Sequence, residues 1–273
     1  MLINQLDSDM YLLTGDAYQS NSTALIRRDE AVLIDGMASR SDAEQIKEWL
    51  EYGLRKQVRF ILCTHYFCDH LAALNVFPRA EILAHHNYRE TFDAELFCSA
   101  DEKRHFREPD ILISDDLKIR WGSRTLKIFH NPGHTLSTMN VDIEESDLVI
   151  ASDNLVGNLV YLAYSNLERA GAALEKLSAT GRTRIVAGHG KVRGRDAIDN
   201  AQYYLSRLRR WATASEIDST PRGASLEYFL PAGIAGTPFE TLYHDRNVRL
   251  FADPGALAAG RFADINGRSG MSV

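Results

Sequence analysis

Residues Val58 to Phe77 read VRFILCTHYFCDHLAALNVF, and they constrain the chain more than any other stretch. Val58, Phe60, Ile61 and Leu62 form a short apolar run with β-branched and aromatic character, the mark of a buried strand. The run then stops, and within six residues come His65, Asp69 and His70. Two imidazoles and a carboxylate are good ligands for a borderline divalent metal. Asp69 stands where a helix can start, ahead of Leu71, Ala72, Ala73, Leu74 and Phe77. These side chains therefore project from a strand end and the loop behind it, where a rigid α/β scaffold usually carries its chemistry. Any one of them alone reads as solvated surface. Three together, straight after a buried strand, do not.

The flanking sequence supplies the scaffold. Thr23 to Leu33 reads as two strands around a polar Arg27–Glu30 turn. Ser41 offers an N-cap with Glu44 as its capping-box partner, and Ala43, Ile46, Trp49, Leu50 and Leu54 follow at helical spacing. Strand, helix, strand in that order predicts a helix-covered sheet. Further on, Glu81 to Ala84 reads as a strand, His85 to Glu95 as a helix, and Asp101 to Pro109 as a charged loop or lid. Leu117 to Trp121 and Thr125 to Phe129 flank Gly122-Ser123 as a hairpin, and Met139 to Ile143 and Leu148 to Ala151 make another. A helix through Leu167, Ala170, Leu174 and Leu177 closes at Gly181, ahead of a strand at Ile185 to Ala187. A long helix runs from Arg195 to Ile217, a Pro-, Gly- and Ser-rich linker from Asp218 to Gly236, and a short helix from Phe239 to Asn247. The organisation expected is one domain over 1–217 and a C-terminal extension over 218–273 that packs on or near the active site.

Composition removes several function classes. The net charge is −6 with no run of like charges, so nucleic-acid binding has no electrostatic support. No segment is apolar for long enough to span a membrane, and the start MLINQLDSDMYLL lacks the basic and apolar pattern of a leader. Three cysteines, Cys63, Cys68 and Cys98, give no disulfide framework and suit a reducing cytoplasm. Cys63 is read as core and Cys68 as a small, partly buried hydrophobe.

Three later apolar strands also end in potential ligands: Phe129 before His134, Ile150 before Asp153, and Val186 before His189. Glycine beside His134 and on both sides of His189 lets the backbone turn tightly enough to aim each imidazole inward. Thr64-His65-Tyr66-Phe67-Cys68-Asp69-His70, Pro132-Gly133-His134-Thr135, Ser152-Asp153 and Gly188-His189-Gly190 together resemble the metallo-β-lactamase-fold superfamily, over roughly residues 10 to 215. The resemblance implies an α/β fold, a four-layer αββα sandwich with metals at one edge of two sheets. It also implies two metal sites sharing Asp153: one drawing on His65 and His134, the other on Asp69, His70 and His189. The family motif His-x-His-x-Asp-His carries Phe67 in place of its second histidine here, so the first site keeps three of four ligands.

Three outcomes follow: two metals with water filling the gap at Phe67, one metal in the complete site, or one ferrous iron on His65, His134 and Asp153. The last resembles the ligand set of persulfide dioxygenases of this fold. The leading expectation is a hydrolase of a small ester, thioester, lactone or amide, dependent on a divalent metal, zinc first, with iron or manganese as alternatives. The competing expectations are a mononuclear iron oxygenase and a non-catalytic metal- or ligand-binding member. In the hydrolase, Asp69 is both ligand and catalytic group, orienting water or carrying its proton. Phe67, Tyr66 and Tyr161 are the expected substrate-side residues; Phe67 would give an apolar wall, and a Tyr161 or Tyr164 phenol could donate to a developing oxyanion. The partner expected is a small molecule, with a homo-oligomer possible and the cytoplasm as location. β-Lactam hydrolysis is set aside because such enzymes are typically exported. His85-His86 is read as a polar pair at a helix start, and His244 beside Tyr243 as surface.

Overall fold

Strand alternation decides how this chain layers. The structure, a computed structural model, describes residues 1–95, 98–214 and 225–252. The chain begins with β1 (Leu2–Asp7), β2 (Met10–Thr14), β3 (Asn21–Arg27) and β4 (Glu30–Ile34), then α1 (Arg40–Lys47), which continues as a π-helical segment, Glu48–Gly53. Next come β5 (Gln57–Leu62), α2 (Ala73–Val76), β6 (Glu81–His85), α3 (Tyr88–Ala94) and β7 (Ile111–Ile113). The second half holds β8 (Leu117–Trp121), β9 (Arg124–His130), β10 (Met139–Ile143), β11 (Leu148–Ser152), α4 (Leu167–Ala179), β12 (Arg184–Ala187), β13 (Arg193–Gly194) and α5 (Asp196–Ala214). Two further helices, α6 (Leu226–Phe229) and α7 (Pro238–Ala252), follow.

The strands form two sheets, β1 to β7 in chain order and β13-β12-β11-β10-β9-β8. Both are mixed: β1 to β4 pair antiparallel and β4 to β7 parallel, while β11 and β12 are the parallel pair of the second sheet. In β4, Ala31 and Leu33 pack outward with Ile46 and Leu50 of the first helical segment, whereas Val32 and Ile34 face the second sheet. In β11, Val149 and Ala151 pack outward with Leu174 and Leu177 of α4, whereas Leu148 and Ile150 face the first sheet. Side chains two apart share a face, so each strand feeds two cores and the result is helix, sheet, sheet, helix. This αββα sandwich is the fold expected from the sequence. The parallel strands β5 and β12 and the turn after β11 all end at one edge, and that edge carries the candidate ligands.

Local readings fail in instructive places. The first helix is capped by Ser39, whose Oγ accepts from Asp42 N at 3.0 Å, and not by Ser41. The reason is Asp42, which also accepts from Asp16 N and Ala17 N at 3.2 Å and so ties the helix start to the loop after β2. The opening hairpin β1–β2 and the short strands β7 and β13 were not legible, since their patterns are brief or mixed in polarity. The end of the long helix expected to reach Ile217, the first part of the expected linker (218–224) and the final residues (253–273) lie outside the described residues. The expectation of free thiols is overturned: Cys68 and Cys98 form a disulfide across 30 residues of sequence. The segment containing α3 returns to the ligand loop and closes that bridge, which a count of cysteines could not show. Cys63 stays a buried free thiol. Among the described residues, no helix is long and apolar enough to cross a membrane.

The last helix is bound to the body of the molecule by buried polar groups. Asn247 accepts from Leu162 N at 2.9 Å and donates to Val160 O at 2.6 Å, and Glu240 accepts from Asn158 N at 2.6 Å. His244, read as surface, is fully buried against Tyr204, whose hydroxyl lies 3.1 Å from its Nδ1. These contacts clamp the loop 155–163, which carries Tyr161. Replacing Asn247 by leucine keeps the branched shape of the side chain but leaves a buried amide and carbonyl unpaired, so unfolding stability should fall by roughly 1–3 kcal/mol. Denaturant unfolding of Asn247→Leu checks this.

Candidate metal centre

Each ligand reaches the site through a local device. After β5, the chain turns at Thr64, whose N–H and hydroxyl donate to Asp35 at 2.7 and 2.8 Å. With that proton committed to Asp35, the Thr64 oxygen accepts from His65 Nδ1 at 3.2 Å, with Ser152 Oγ at 3.3 Å. This leaves the His65 Nε2 lone pair directed at the site. Asp35 also lies 3.5 Å from His70 Nδ1, again turning Nε2 inward. His189 donates Nδ1–H to the Tyr18 carbonyl at 2.9 Å, with the same consequence. Outer partners of this kind orient metal-binding imidazoles and fix their tautomers. Asp153 follows Ser152, which has a left-handed φ of +49° and bends the chain out of β11. The His134 turn is braced by Asn131 and Asn154, both hydrogen bonded to Asn140 Oδ1, at 2.7 and 2.9 Å.

Glycine acts here through close approach. A Cβ at Gly188 would collide with Asp153 Oδ1, and one at Gly133 with Ala173 and Asn154. Gly190 alone of the three has a positive φ, +78°.

The six candidate ligands converge into two groups. Asp69, His70, Asp153 and His189 offer ligand atoms within 4.8 Å of one another, and so do His65, His134 and Asp153. Asp153 belongs to both. Its oxygens lie 3.4 Å from His70 Nε2, 3.3 Å from His189 Nε2 and 3.9 Å from His134 Nε2. The inward nitrogens of all four histidines are buried and make no hydrogen bond of proper geometry. Buried polar atoms are rarely left that way without a function, and this donor set of imidazole and carboxylate suits zinc, iron or manganese. The residues present therefore fit one or two divalent cations.

Without a cation, the charges balance among the ligands themselves. Burial would raise the Asp153 carboxyl, but His189 and His70 outweigh it and hold it well below the usual range. Asp69 follows the same logic and sits at about 2. Burial would lower His70 and His189, yet the surrounding carboxylates raise both, His189 to about 10. His65 and His134 are pushed down by burial and stay neutral.

Phe67 and Tyr66 separate cleanly. Phe67 lines the cavity above the three-ligand group, its ring 5.2 Å from that of His65 and 5.3 Å from that of His134. Tyr66, expected at the substrate, faces the other way because neighbouring residues alternate. It is fully buried in the outer core, its hydroxyl donating to Arg107 O and its ring 5.2 Å from Tyr88. Tyr161 lines the cavity, and burial raises its phenol to about 12. Tyr164 is there too. His85 is buried, stacked on His130 at 3.9 Å, and lies in neither ligand group.

Other wall residues escaped the sequence. Glu95 accepts from Cys68 N at 2.9 Å, and burial together with Asp69 pushes its carboxyl up to about 8. Tyr18 comes from the loop after β2, and Tyr243 and Arg246 from α7. A short helix from Phe239 to Asn247 was expected in this extension, but not that Tyr243 and Arg246 of it would line the cavity. Arg246 lies over the rings of Tyr243 and Tyr161, at 5.3 and 5.8 Å, within cation–π range.

An αββα sandwich with buried His and Asp clusters at one sheet edge is a scaffold suited to metal-dependent chemistry. A profile of the Metallo-beta-lactamase superfamily matches residues 15–189, which is more than half of the chain and includes all six candidate ligands. The chain belongs to that superfamily. Hydroxyacylglutathione hydrolase of Bartonella tribocorum is 29% identical over 123 residues, spanning 44% of this chain and 44% of that protein; the match thus takes in less than half of that relative. Solved structures that share the fold include the following two. A metallo-beta-lactamase from Pontibacter korlensis has a TM-score of 0.62 at 18% identity, covering 72% of this chain and 95% of its own. One from Hirschia baltica has a TM-score of 0.60 at 18% identity, covering 75% and 97%.

The close packing at Gly188 gives a direct test. Gly188→Ala must push the Asp153 carboxylate away from both ligand groups, so bound metal should fall at both while the fold persists. Elemental analysis alongside circular dichroism checks it; undiminished metal content would show that Asp153 is not the shared ligand.

Proposed function

We propose that this protein is a metal-dependent hydrolase of a small acyl compound, whether ester, thioester, lactone or amide. The observation that carries the reading is Asp153, shared between a four-residue and a three-residue ligand group and facing a cleft that Asp69, His134 and Phe67 also line. A divalent cation held there supplies Lewis acidity toward water and a substrate carbonyl. Asp69, at the cavity wall and partly exposed, is placed to orient the attacking water and take its proton. Tyr161 remains a phenol at neutral pH and can donate to the oxygen on which negative charge develops. Phe67 presents an apolar face beside His65 and His134, which favours an apolar or aromatic acyl group. Arg246 offers a counter-charge to a substrate carboxylate. The similarity to a hydroxyacylglutathione hydrolase makes thioesters the first compounds to try.

A second reading rests on one specific observation. His65, His134 and Asp153 form a two-histidine, one-carboxylate set with Phe67 packed beside it, a set that also suits ferrous iron in oxygenases.

Metal content of protein purified without added metal, for wild type and Phe67→His, separates the two. The hydrolase reading expects zinc or manganese, at between about one and two equivalents, rising to about two in Phe67→His as the three-ligand group gains its fourth ligand. Turnover of a thioester and ester panel should accompany it. Close to one iron with oxygen consumption would move the assignment to the oxygenase, and no metal in either form would sink both.

A further inference from the structure

The disulfide closes a third group of ligands. Cys68, Glu95 and Cys98 place their two sulfurs and a carboxylate oxygen within 4.8 Å of one another. Cys68 is buried and directly precedes Asp69, whereas Cys98 is partly exposed and, with Glu95, lines the same cavity. Glu95 is held there by the Cys68 amide, which donates to its Oε2 at 2.9 Å. Two thiolates and a carboxylate are a soft set suited to zinc and its congeners, and distinct from the six sulfur-free ligands of the main centre.

We propose that reduction of Cys68–Cys98 opens a second kind of metal site, in which both cysteine sulfurs and Glu95 hold a thiophilic divalent cation at the cavity wall. The reductant is a dithiol. Its thiolate attacks the accessible Cys98 sulfur, the S–S bond breaks, and Cys68 leaves as the thiolate. The second thiol of the reductant then displaces Cys98 and closes its own disulfide. Two electrons and two protons have passed from reductant to protein, and the cation later displaces those protons to solvent. With Zn–S bonds of about 2.3 Å, two thiolates on one ion lie no more than about 4.6 Å apart. The Cα atoms of Cys68 and Cys98 are already only 6.3 Å apart, so the backbone need not travel. Cys98 and Glu95 both face the cavity, which leaves a fourth position open to water or substrate. The wall of the cleft thus exchanges a covalent tie for a metal tie according to the thiol–disulfide balance around it.

The test uses the full chain and cadmium ion alone as the probe. Protein is reduced with a dithiol, freed of it under nitrogen, and titrated with cadmium chloride while thiolate-to-cadmium charge-transfer absorbance is followed. The main centre contains no sulfur, so that band reports this site whatever the outcome at the main centre. Reduced wild type should develop the band, and oxidised protein should not. Cys68→Ser/Cys98→Ser should give none, because Cys63 is sealed in the core. Outer partners alone tune metal affinity by about 10–100-fold, so losing a direct ligand in Glu95→Gln should weaken cadmium binding by at least tenfold. A disulfide that stays closed to the dithiol in the folded protein would overturn the proposal. So would a band absent from reduced wild type, or one retained in the double variant. Unchanged affinity in Glu95→Gln would overturn the three-ligand site.

Discussion

Asp153 faces imidazoles on both sides from inside a buried pocket, and much of the architecture serves to keep it there. A carboxylate taken out of water is costly unless charge of the opposite sign is close. Without a cation, that charge comes from protons on His70 and His189, which the carboxylates raise. A divalent ion bound by these residues would take the place of those protons. Gly188 has no side chain because Asp153 occupies the space one would fill. Ser152 bends out of β11 to deliver the carboxylate, and β11 pairs with β12 in parallel so that Asp153 and His189 emerge at the same edge. The second sheet can be read as the mount for one acidic side chain.

The same logic explains why the two ligand groups differ. His65 and His134 are driven neutral by burial, and Phe67 lies against both rings. Neutral imidazoles are ready ligands that need lose no proton, but only Asp153 lends this group negative charge. The four-residue group has two carboxylates and an open view of Asp69 from the cavity. It therefore offers the stronger electrostatic grip, while the three-residue group offers the drier and more apolar surroundings. A substrate lying across the two would have its reacting bond over Asp69 and its apolar portion over Phe67.

How much of this could be read beforehand depended on distance along the chain. Each ligand follows a strand and a tight turn within a few residues, so His65, Asp69, His70, His134, Asp153 and His189 were all visible as strand-end side chains. The αββα layering was expected from the superfamily resemblance, whereas the strand, helix, strand order by itself reached only a helix-covered sheet. What escaped was brought in by tertiary folding. Asp35 steadies both Thr64 and His70 from the end of a different strand. Glu95 and Cys98 arrive only when α3 returns. Tyr66 was misplaced because being next to Phe67 in sequence puts it on the opposite face. The cap at Ser39 was missed because it depends on Asp42 being shared with the loop after β2.

The wall opposite the metal groups comes from the far end of the chain. Superfamily matching ends at residue 189, yet Tyr243 and Arg246 of α7 stand in the cavity and the Phe239 ring lies 5.3 Å from that of His189. Asn247, Glu240 and His244, on the same helix, are buried in polar contacts with the loop 155–163 and with Tyr204. Buried polar pairs of this kind add little net stability but strongly disfavour any other register. The helix is thus fixed in one position relative to Tyr161, and with it the distance from Arg246 to the metal ligands. The shared sandwich supplies the reactive centre, while α7, outside the matched range, sets how wide and how charged the entrance is. The ligands by themselves do not select a substrate, so selectivity in this chain is expected to come from side chains such as Tyr243 and Arg246 at the cavity wall.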